Sequence, residues 1–219
     1  MGPMTDSQPA PLRADAERNR QRLVDAAREV FATRGLDVTL DEIARHAGVG
    51  TGTAYRRFPN KHALIEELMV DRLSDVEAIA RECLDEPDPW LGLSGFFERA
   101  LALMVSDRGL RDVMFSAGRG GEPLAAARQR VASVTTQLLQ RAVDAGVVRS
   151  DLAPTDLPLI NLMLDTLIDF GREVEPELYR RFLAITLDGL RPHPEGTKPL
   201  PVGPLDLPRF AQALANQRP

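Results

Sequence analysis

Cysteine, histidine and aromatic residues are scarce in this chain of 219 residues. The single cysteine, Cys83, cannot close an intrachain disulfide, which favours a reducing, intracellular setting. The three histidines, His46, His62 and His193, are too scattered to form a cluster of metal ligands, so we expect no metal site. No stretch approaches the roughly 18 consecutive apolar residues of a transmembrane helix, and no secretory signal is visible. We therefore expect a cytoplasmic protein without a membrane partner.

Arrangements typical of catalysis are also missing. The sequence has no Ser-His-Asp constellation, paired-carboxylate motif or phosphate loop, and its Asp and Glu residues fit helix caps and surfaces. The pattern Gly48-x-Gly50-x-Gly52 superficially resembles a dinucleotide-binding fingerprint. Such a fingerprint follows a buried strand, whereas an amphipathic helix precedes these glycines. We therefore expect neither an enzyme nor a bound cofactor.

Charge is distributed unevenly along the chain. Residues 1–65 carry 10 Lys and Arg against 8 Asp and Glu, whereas residues 66–219 carry 17 against 24. A polyanion would therefore meet the front of the chain. The excess at the front is small, so charge alone favours the plainer interpretation that both halves have ordinary solvated surfaces.

Apolar residues recur at helical spacing, and no segment alternates as a strand does, so we predict an all-α fold. Abundant Ala, Leu, Arg and Glu favour the same structure. The predicted helices span residues 15–34, 40–47, 51–57, 61–84, 90–106, 108–117, 123–145, 155–173 and 176–190.

Residues 39–61, TLDEIARHAGVGTGTAYRRFPNK, contain two short helices joined by a tight turn. Thr39 and Glu42 have the spacing of a capping box, which starts the first helix. Gly48 permits the sharp turn because glycine readily adopts a left-handed conformation. The pattern predicts a helix-turn-helix. The alternative is a helical interaction protein in which these helices serve packing only, and salt-dependent binding to a palindromic duplex would separate the two.

The second short helix, residues 51–57, has distinct inner and outer faces. If Ala54 and Phe58 point into the core, Arg56 lies at the centre of the outer face at about 100° per residue. Arginine can bond guanine bidentately and Thr53 can contact base edges, so this face suits the major groove of DNA. The side chains placed to bond phosphates are Thr39, Tyr55, Arg57 and Lys61.

Residues 18–68 closely resemble the DNA-binding domain of the TetR (tetracycline repressor) family of bacterial regulators, over roughly the first quarter of the chain. Spacing and identity agree at Phe31, Gly35, Thr39, Ile43, Ala44, Ala47, Gly48, Val49, Gly52, Thr53, Tyr55, Phe58, Lys61, Ala63 and Leu64. Two residues depart from the pattern: Gly50, where serine is common, and Ala54, where leucine is common. Glycine weakens the N-cap by a few tenths of a kcal/mol, and we expect Thr51 to take over this role.

The resemblance implies a ligand-responsive repressor that binds a palindromic operator as a homodimer and is released by a small-molecule effector. It implies DNA contacts by Thr39, Thr51, Gly52, Thr53, Tyr55, Arg56, Arg57 and Lys61. We predict four parts of the chain: a flexible N-terminal arm (1–14), a DNA-binding domain (15–60), a regulatory and dimerisation domain (61–191) and a proline-rich extended tail (192–219). Within the tail, a short helix could start at Asp206.

Residues 85–191 carry no comparable family motif, so roles there are assigned by analogy and physical argument. The segment 155–173 is apolar nearly all round, more than one buried face explains, which predicts a dimer interface shared with residues 176–190. The alternative is a wholly internal helix. The residues predicted for this interface are Leu159, Leu162, Thr166, Phe170, Phe182 and Ile185.

Methionine and aromatic side chains between the helices of this domain could line an apolar effector cavity, although each alone is more often plain core. The candidates are Trp90, Phe96, Phe97, Met104, Met114, Phe115 and Met163. The acidic excess favours neutral or cationic effectors over anions. Because the helix 61–84 belongs to both domains, we expect it to transmit effector binding to the DNA-binding face.

Overall fold

The computed structural model describes residues 10–35, 37–106, 121–193 and 196–216. All regular structure in these ranges is helical, which confirms the all-α prediction. The helices are α1 (Ala10–Arg34), α2 (Leu40–His46), α3 (Thr51–Arg57), α4 (Lys61–Leu84), α5 (Pro89–Ser106), α6 (Glu122–Asp144), α7 (Asp156–Gly171), α8 (Leu178–Leu190) and α9 (Leu207–Asn216). The predicted helix 108–117 lies outside the described residues.

The first helix is longer than the sequence pattern predicts. It begins at Ala10, inside the segment 1–14 predicted as a flexible arm, so that prediction is wrong for residues 10–14. Pro11 falls in the first helical turn, where its missing amide hydrogen costs no hydrogen bond. The Leu, Arg and Ala that follow it favour helix, so the segment extends α1 instead of remaining irregular.

The chain forms two compact units, a front unit that ends at Leu68 and a second unit that begins at Met69. The boundary therefore lies within α4 and not at residue 60 as predicted. The first turns of α4 belong to the front unit because Leu64 and Leu68 are buried in its core. The same core contains Phe31, Ala54 and Phe58, which confirms that the last two point inward. The short helix α3 is therefore anchored by its inner side.

Predicted helix starts are confirmed by hydrogen bonds. Thr39 and Glu42 form the reciprocal capping box of α2. The Ala63 amide donates to Asn60 Oδ1 at 2.9 Å, which caps α4. In the same way, the amide of Arg209 donates to Asp206 Oδ1 at 2.8 Å, and α9 begins at the predicted place.

The second unit has its own core, formed by the later turns of α4 together with α5, α6, α7 and α8. Arg141 on α6 ties this core to the turn between α4 and α5 by donating to the carbonyl oxygens of Leu84 (2.7 Å) and Pro87 (2.8 Å). No helix of the described residues has the length and apolarity needed to cross a membrane.

The proline-rich tail has no helix or strand over residues 196–206, and it is bound to the second unit. Arg149 Nη2 donates to the Lys198 carbonyl at 2.7 Å, and the Leu200 amide donates to Asp151 Oδ2 at 3.0 Å. The Arg149 guanidinium bonds Asp151 and holds the pKa of that carboxyl at about 2. Charge-assisted hydrogen bonds therefore fix the start of the tail.

We expect Gly92→Ala to destabilise the second unit. A Cβ at Gly92 would lie 2.6 Å from the backbone oxygen of Cys83, too close for α5 and α4 to keep their packing. A loss of about 2 kcal/mol in the free energy of unfolding follows from such overpacking. Urea unfolding followed by the fluorescence of Trp90, the only tryptophan of the chain, measures it.

Gly189→Ala is the matched control, because a Cβ at this position in α8 meets no atom within 4 Å. There we expect a gain of roughly 0.5–1 kcal/mol, since alanine is the better helix former. Equal effects of the two substitutions would contradict the close packing at Gly92.

Candidate nucleic-acid interface

The helix α3 is held from one side and open on the other. Ala54 and the following Phe58 are 0% and 2% exposed, which fixes the inner side. On the outer side, Gly52, Tyr55 and Arg56 are exposed. The predicted outward face is therefore accessible along the seven residues of the helix.

The turn before α3 has the conformation that the sequence predicts. Gly48 has φ +62°, in the left-handed region. The Val49 amide then donates to the Ala44 carbonyl at 2.9 Å, and Val49 itself is buried between the helices. Arg22 on α1 adds a bond that no local sequence pattern indicates: its Nη2 donates to the Gly48 carbonyl at 3.3 Å.

Thr51 does not cap α3, which corrects the expectation that it would replace Gly50. Gly50 itself has the extended backbone of an N-cap residue, φ −60° and ψ 136°, and no side chain caps the helix. Its carbonyl accepts from the amides of Thr53 (2.8 Å) and Ala54 (3.0 Å). Thr51 consequently occupies the first helical position, with its side chain exposed.

Arg56 is oriented by its own helix. Its Nη2 donates to Thr53 Oγ1 at 3.1 Å, one turn earlier. The bond holds the two predicted base-contacting groups together on one face. A Cβ at Gly52 would meet nothing within 4 Å, so the bare backbone there leaves space for a duplex edge to approach.

The side chains predicted to bond phosphates are already engaged within the front unit. The Asp41 carboxylate faces the Tyr55 hydroxyl and raises the pKa of that phenol. Arg57 lies over the Phe58 ring, 5.5 Å from its centre, with Nη2 3.7 Å from a Glu67 oxygen. Such contacts limit the positions that Tyr55 and Arg57 sample and keep them at the edges of the α3 face.

Thr39, which is predicted to contact a phosphate, also forms the hydrogen bonds of the α2 capping box. Its hydroxyl donates to Glu42 Oε2 at 2.9 Å and accepts from the Glu42 amide at 3.2 Å. Hydrogen bonds from the Thr39 amide and then from Arg34 lower the pKa of Glu42 to about 2. Lys61, the last predicted contact, is the half-buried first residue of α4.

The structure brings together some of the effector candidates in the second unit. Phe97 and Met104 are buried in its core, with Phe96 beside Phe97 at a ring-centre distance of 5.9 Å. Trp90 is half-buried against the same core. Met163 is not part of this group, because its side chain is 51% exposed on another face of α7. The remaining candidates, Met114 and Phe115, lie outside the described residues.

An apolar surface lies on α7, α8 and their connection. Its large exposed side chains are Met163 (51%), Phe170 (80%), Val174 (89%), Phe182 (38%) and Ile185 (56%). Of the predicted interface residues, Phe170, Phe182, Ile185 and Thr166 are exposed, whereas Leu159 and Leu162 are half-buried. We call this surface the α7–α8 face.

Two buried polar residues of the second unit, Asn161 and Asp165, are absent from the sequence predictions. A signal for them exists, since they stand four residues apart within the apolar run of α7. In the described ranges no three His, Cys, Asp or Glu side chains gather into a group that could hold a metal ion.

Comparison with known proteins finds two matching family models. The first, "Bacterial regulatory proteins, tetR family", matches residues 23–68. The second, "Transcriptional regulator SbtR-like, C-terminal domain", matches residues 88–192, a region without a family motif comparable to that of residues 18–68. The two matches include α3 with its turn and most of the second unit.

Individual relatives agree with these models. The chain is 34% identical to the TetR transcription regulatory protein from Mycobacterium vanbaalenii, covering 83% of this chain and 99% of that one with a TM-score of 0.57. Over 93 residues it is 45% identical to the regulator SrpR and 43% identical to the uncharacterised regulator TtgW, both of Pseudomonas putida. These alignments span 42% of this chain, and 40% and 64% of the respective relatives.

Proposed function

The chain belongs to the TetR family of bacterial regulatory proteins, and we propose that it represses transcription by binding a palindromic operator as a homodimer. It is a transcriptional regulator with a DNA-binding domain, and its family is not an enzyme class. We further propose that it acts in the cytoplasm and leaves the operator when a small-molecule effector binds the second unit.

The observation that carries this proposal is the open outer face of α3. Arg56 and Thr53 share that face and are bonded at 3.1 Å, while Ala54 anchors the opposite side. A bidentate arginine is the commonest specific contact to guanine in the major groove. The flanking residues, Tyr55 and Arg57, would fix the position of the helix on the phosphates.

The α7–α8 face supports the homodimer. One α3 helix contacts only a few base pairs, whereas two related by a two-fold axis read two half-sites about one DNA turn apart. Exposed apolar side chains such as Phe170 and Ile185 need burial that one protomer does not provide. A four-helix seam formed by α7 and α8 of both protomers would bury them.

The second unit supports an effector site. Its core offers aromatic and methionine side chains, among them Phe97 and Met104. The helix α4 supplies Leu64 to the front core and Val76 to the second core, so one continuous helix joins the two. A coupling of roughly 1–3 kcal/mol through α4 would lower operator affinity about 5–150-fold.

Selection of duplexes from a random pool, followed by affinity measurements at several salt concentrations, tests the function. We expect a palindromic consensus and a loss of affinity of about a thousandfold or more between roughly 50 and 200 mM salt, because bound phosphates release counterions. Absence of a consensus together with salt-insensitive binding would reject DNA recognition. It would favour the second candidate, an interaction protein whose helix-turn-helix only packs.

A further inference from the structure

Polar side chains interrupt the inner face of α7. The buried residues of this helix are Leu157, Asn161, Leu164, Asp165, Ile168 and Gly171. Asn161 and Asp165 are 9% and 8% exposed, which makes each more than nine-tenths buried. They lie one turn apart in the middle of the helix, so neither serves as a cap.

The hydrogen bonding of Asn161 is half complete. Its Nδ2 donates to the Leu157 carbonyl at 3.3 Å, which identifies the other amide atom as the oxygen. That oxygen, Oδ1, is buried and accepts no hydrogen bond. A buried amide group without its partner destabilises the fold. Thr135, equally buried on α6, contrasts with it because its hydroxyl donates to the Val131 carbonyl at 2.9 Å.

We propose that Asn161 Oδ1 accepts a hydrogen bond from the effector and that the effector is an apolar amine. This inference rests on the proposed effector site. The free atom of Asn161 is an acceptor, so the ligand must donate. A protonated amine donates more strongly than a neutral group. The apolar side chains of the second core, including Phe97 and Met104, provide contacts for the hydrocarbon part of the ligand.

Asp165 is the residue that determines which charge the site accepts on the ligand headgroup. Its carboxyl group lies one turn from Asn161 on the same helix, and a carboxylate in a buried site would repel a negatively charged headgroup. Asp165 has an interaction of its own, so we assign hydrogen-bond recognition to Asn161 and to Asp165 the exclusion of anions. Carboxylate and phosphate headgroups are therefore disfavoured.

Three probes with one hydrocarbon chain test the headgroup: decylamine, decanol and decanoate. Trp90 is the only tryptophan and packs against the second core, so its fluorescence reports binding to the full-length protein. We expect decylamine to bind at least about 10-fold more tightly than decanoate, with decanol between them. Equal affinities, or tighter binding of decanoate, would overturn the proposal.

Substitutions in α7 test which of its residues cause the headgroup preference. Asn161→Leu should weaken decylamine binding about 10-fold or more while the thermal midpoint stays or rises, because a buried unsatisfied amide is removed. Asp165→Asn should strengthen decanoate binding, whereas Asp169→Asn, the same change at an exposed position of α7, should alter neither probe. Asn161→Ala serves if the leucine variant fails to fold. Unchanged decylamine affinity in the variant that folds would reject the role of Asn161.

Because the probes are titrated without DNA, the two proposals fail separately. Selective amine binding without any operator would reject the proposed repression and leave this inference intact. Salt-dependent operator binding with no preference for amines would reject this inference alone.

Discussion

Replacing Ile185 with glutamate is expected to leave the protein monomeric and to weaken binding to a palindromic duplex by at least about a hundredfold. The side chain is 56% exposed on the α7–α8 face, near the exposed ring of Phe182. In a two-fold interface each substitution appears twice, so two carboxylates would enter one apolar seam. Loss of the partner removes the second half-site contact, whose effective concentration supplies most of the affinity.

Leu91→Glu is the control for this substitution, because Leu91 is 55% exposed but lies on α5. Sedimentation velocity over a range of protein concentrations measures the oligomeric state, and fluorescence polarisation with the selected duplex measures affinity. We expect the Leu91 variant to remain dimeric and to bind DNA normally. A dimeric Ile185 variant would show that protomers meet through another surface.

Local rules made the front unit predictable. The capping box of Thr39 and Glu42, the left-handed Gly48 and the inward Ala54 each follow from a few neighbouring residues. The predicted start of α1 at residue 15 is wrong, because a proline such as Pro11 interrupts most helices but is tolerated in the first turn, and α1 begins at Ala10. The Arg22 bond to the Gly48 carbonyl joins residues 26 positions apart, which no local pattern indicates.

In the second unit, the inward-facing sides of the helices could not be predicted, for a different reason. A helix that is apolar nearly all round does not reveal which side faces inward, so the sequence pattern places Met163 among the cavity candidates although the structure exposes it. The inner side is instead marked by Asn161 and Asp165, which a hydrophobic pattern would place outside. Phe170 illustrates the converse, because a hydrophobic pattern alone would place it inside, whereas its side chain is 80% exposed. The order of helices was predictable, but their orientation needed tertiary packing.

Arg56→Ala is expected to reduce affinity for the selected operator about 5- to 150-fold per half-site and to relax the base preference at one position of each half-site. The reason is the loss of a bidentate contact worth roughly 1–3 kcal/mol. Removal of Arg56 also frees Thr53 Oγ1 from its 3.1 Å bond, which adds to the loss of sequence preference. Competition binding with a library of single-base operator variants measures both effects.

Lys61→Ala separates the reading of bases from the positioning of the protein on phosphates. Lys61 begins α4, outside α3, so we expect all duplexes to bind more weakly in equal proportion and the salt slope to fall by about one for each protomer. Arg81→Ala is the control, because this arginine is exposed in the second unit and pairs with Glu77. If Lys61→Ala altered base preference while Arg56→Ala weakened all duplexes alike, the assigned roles would be reversed, and α3 would lie on the backbone instead of in the groove.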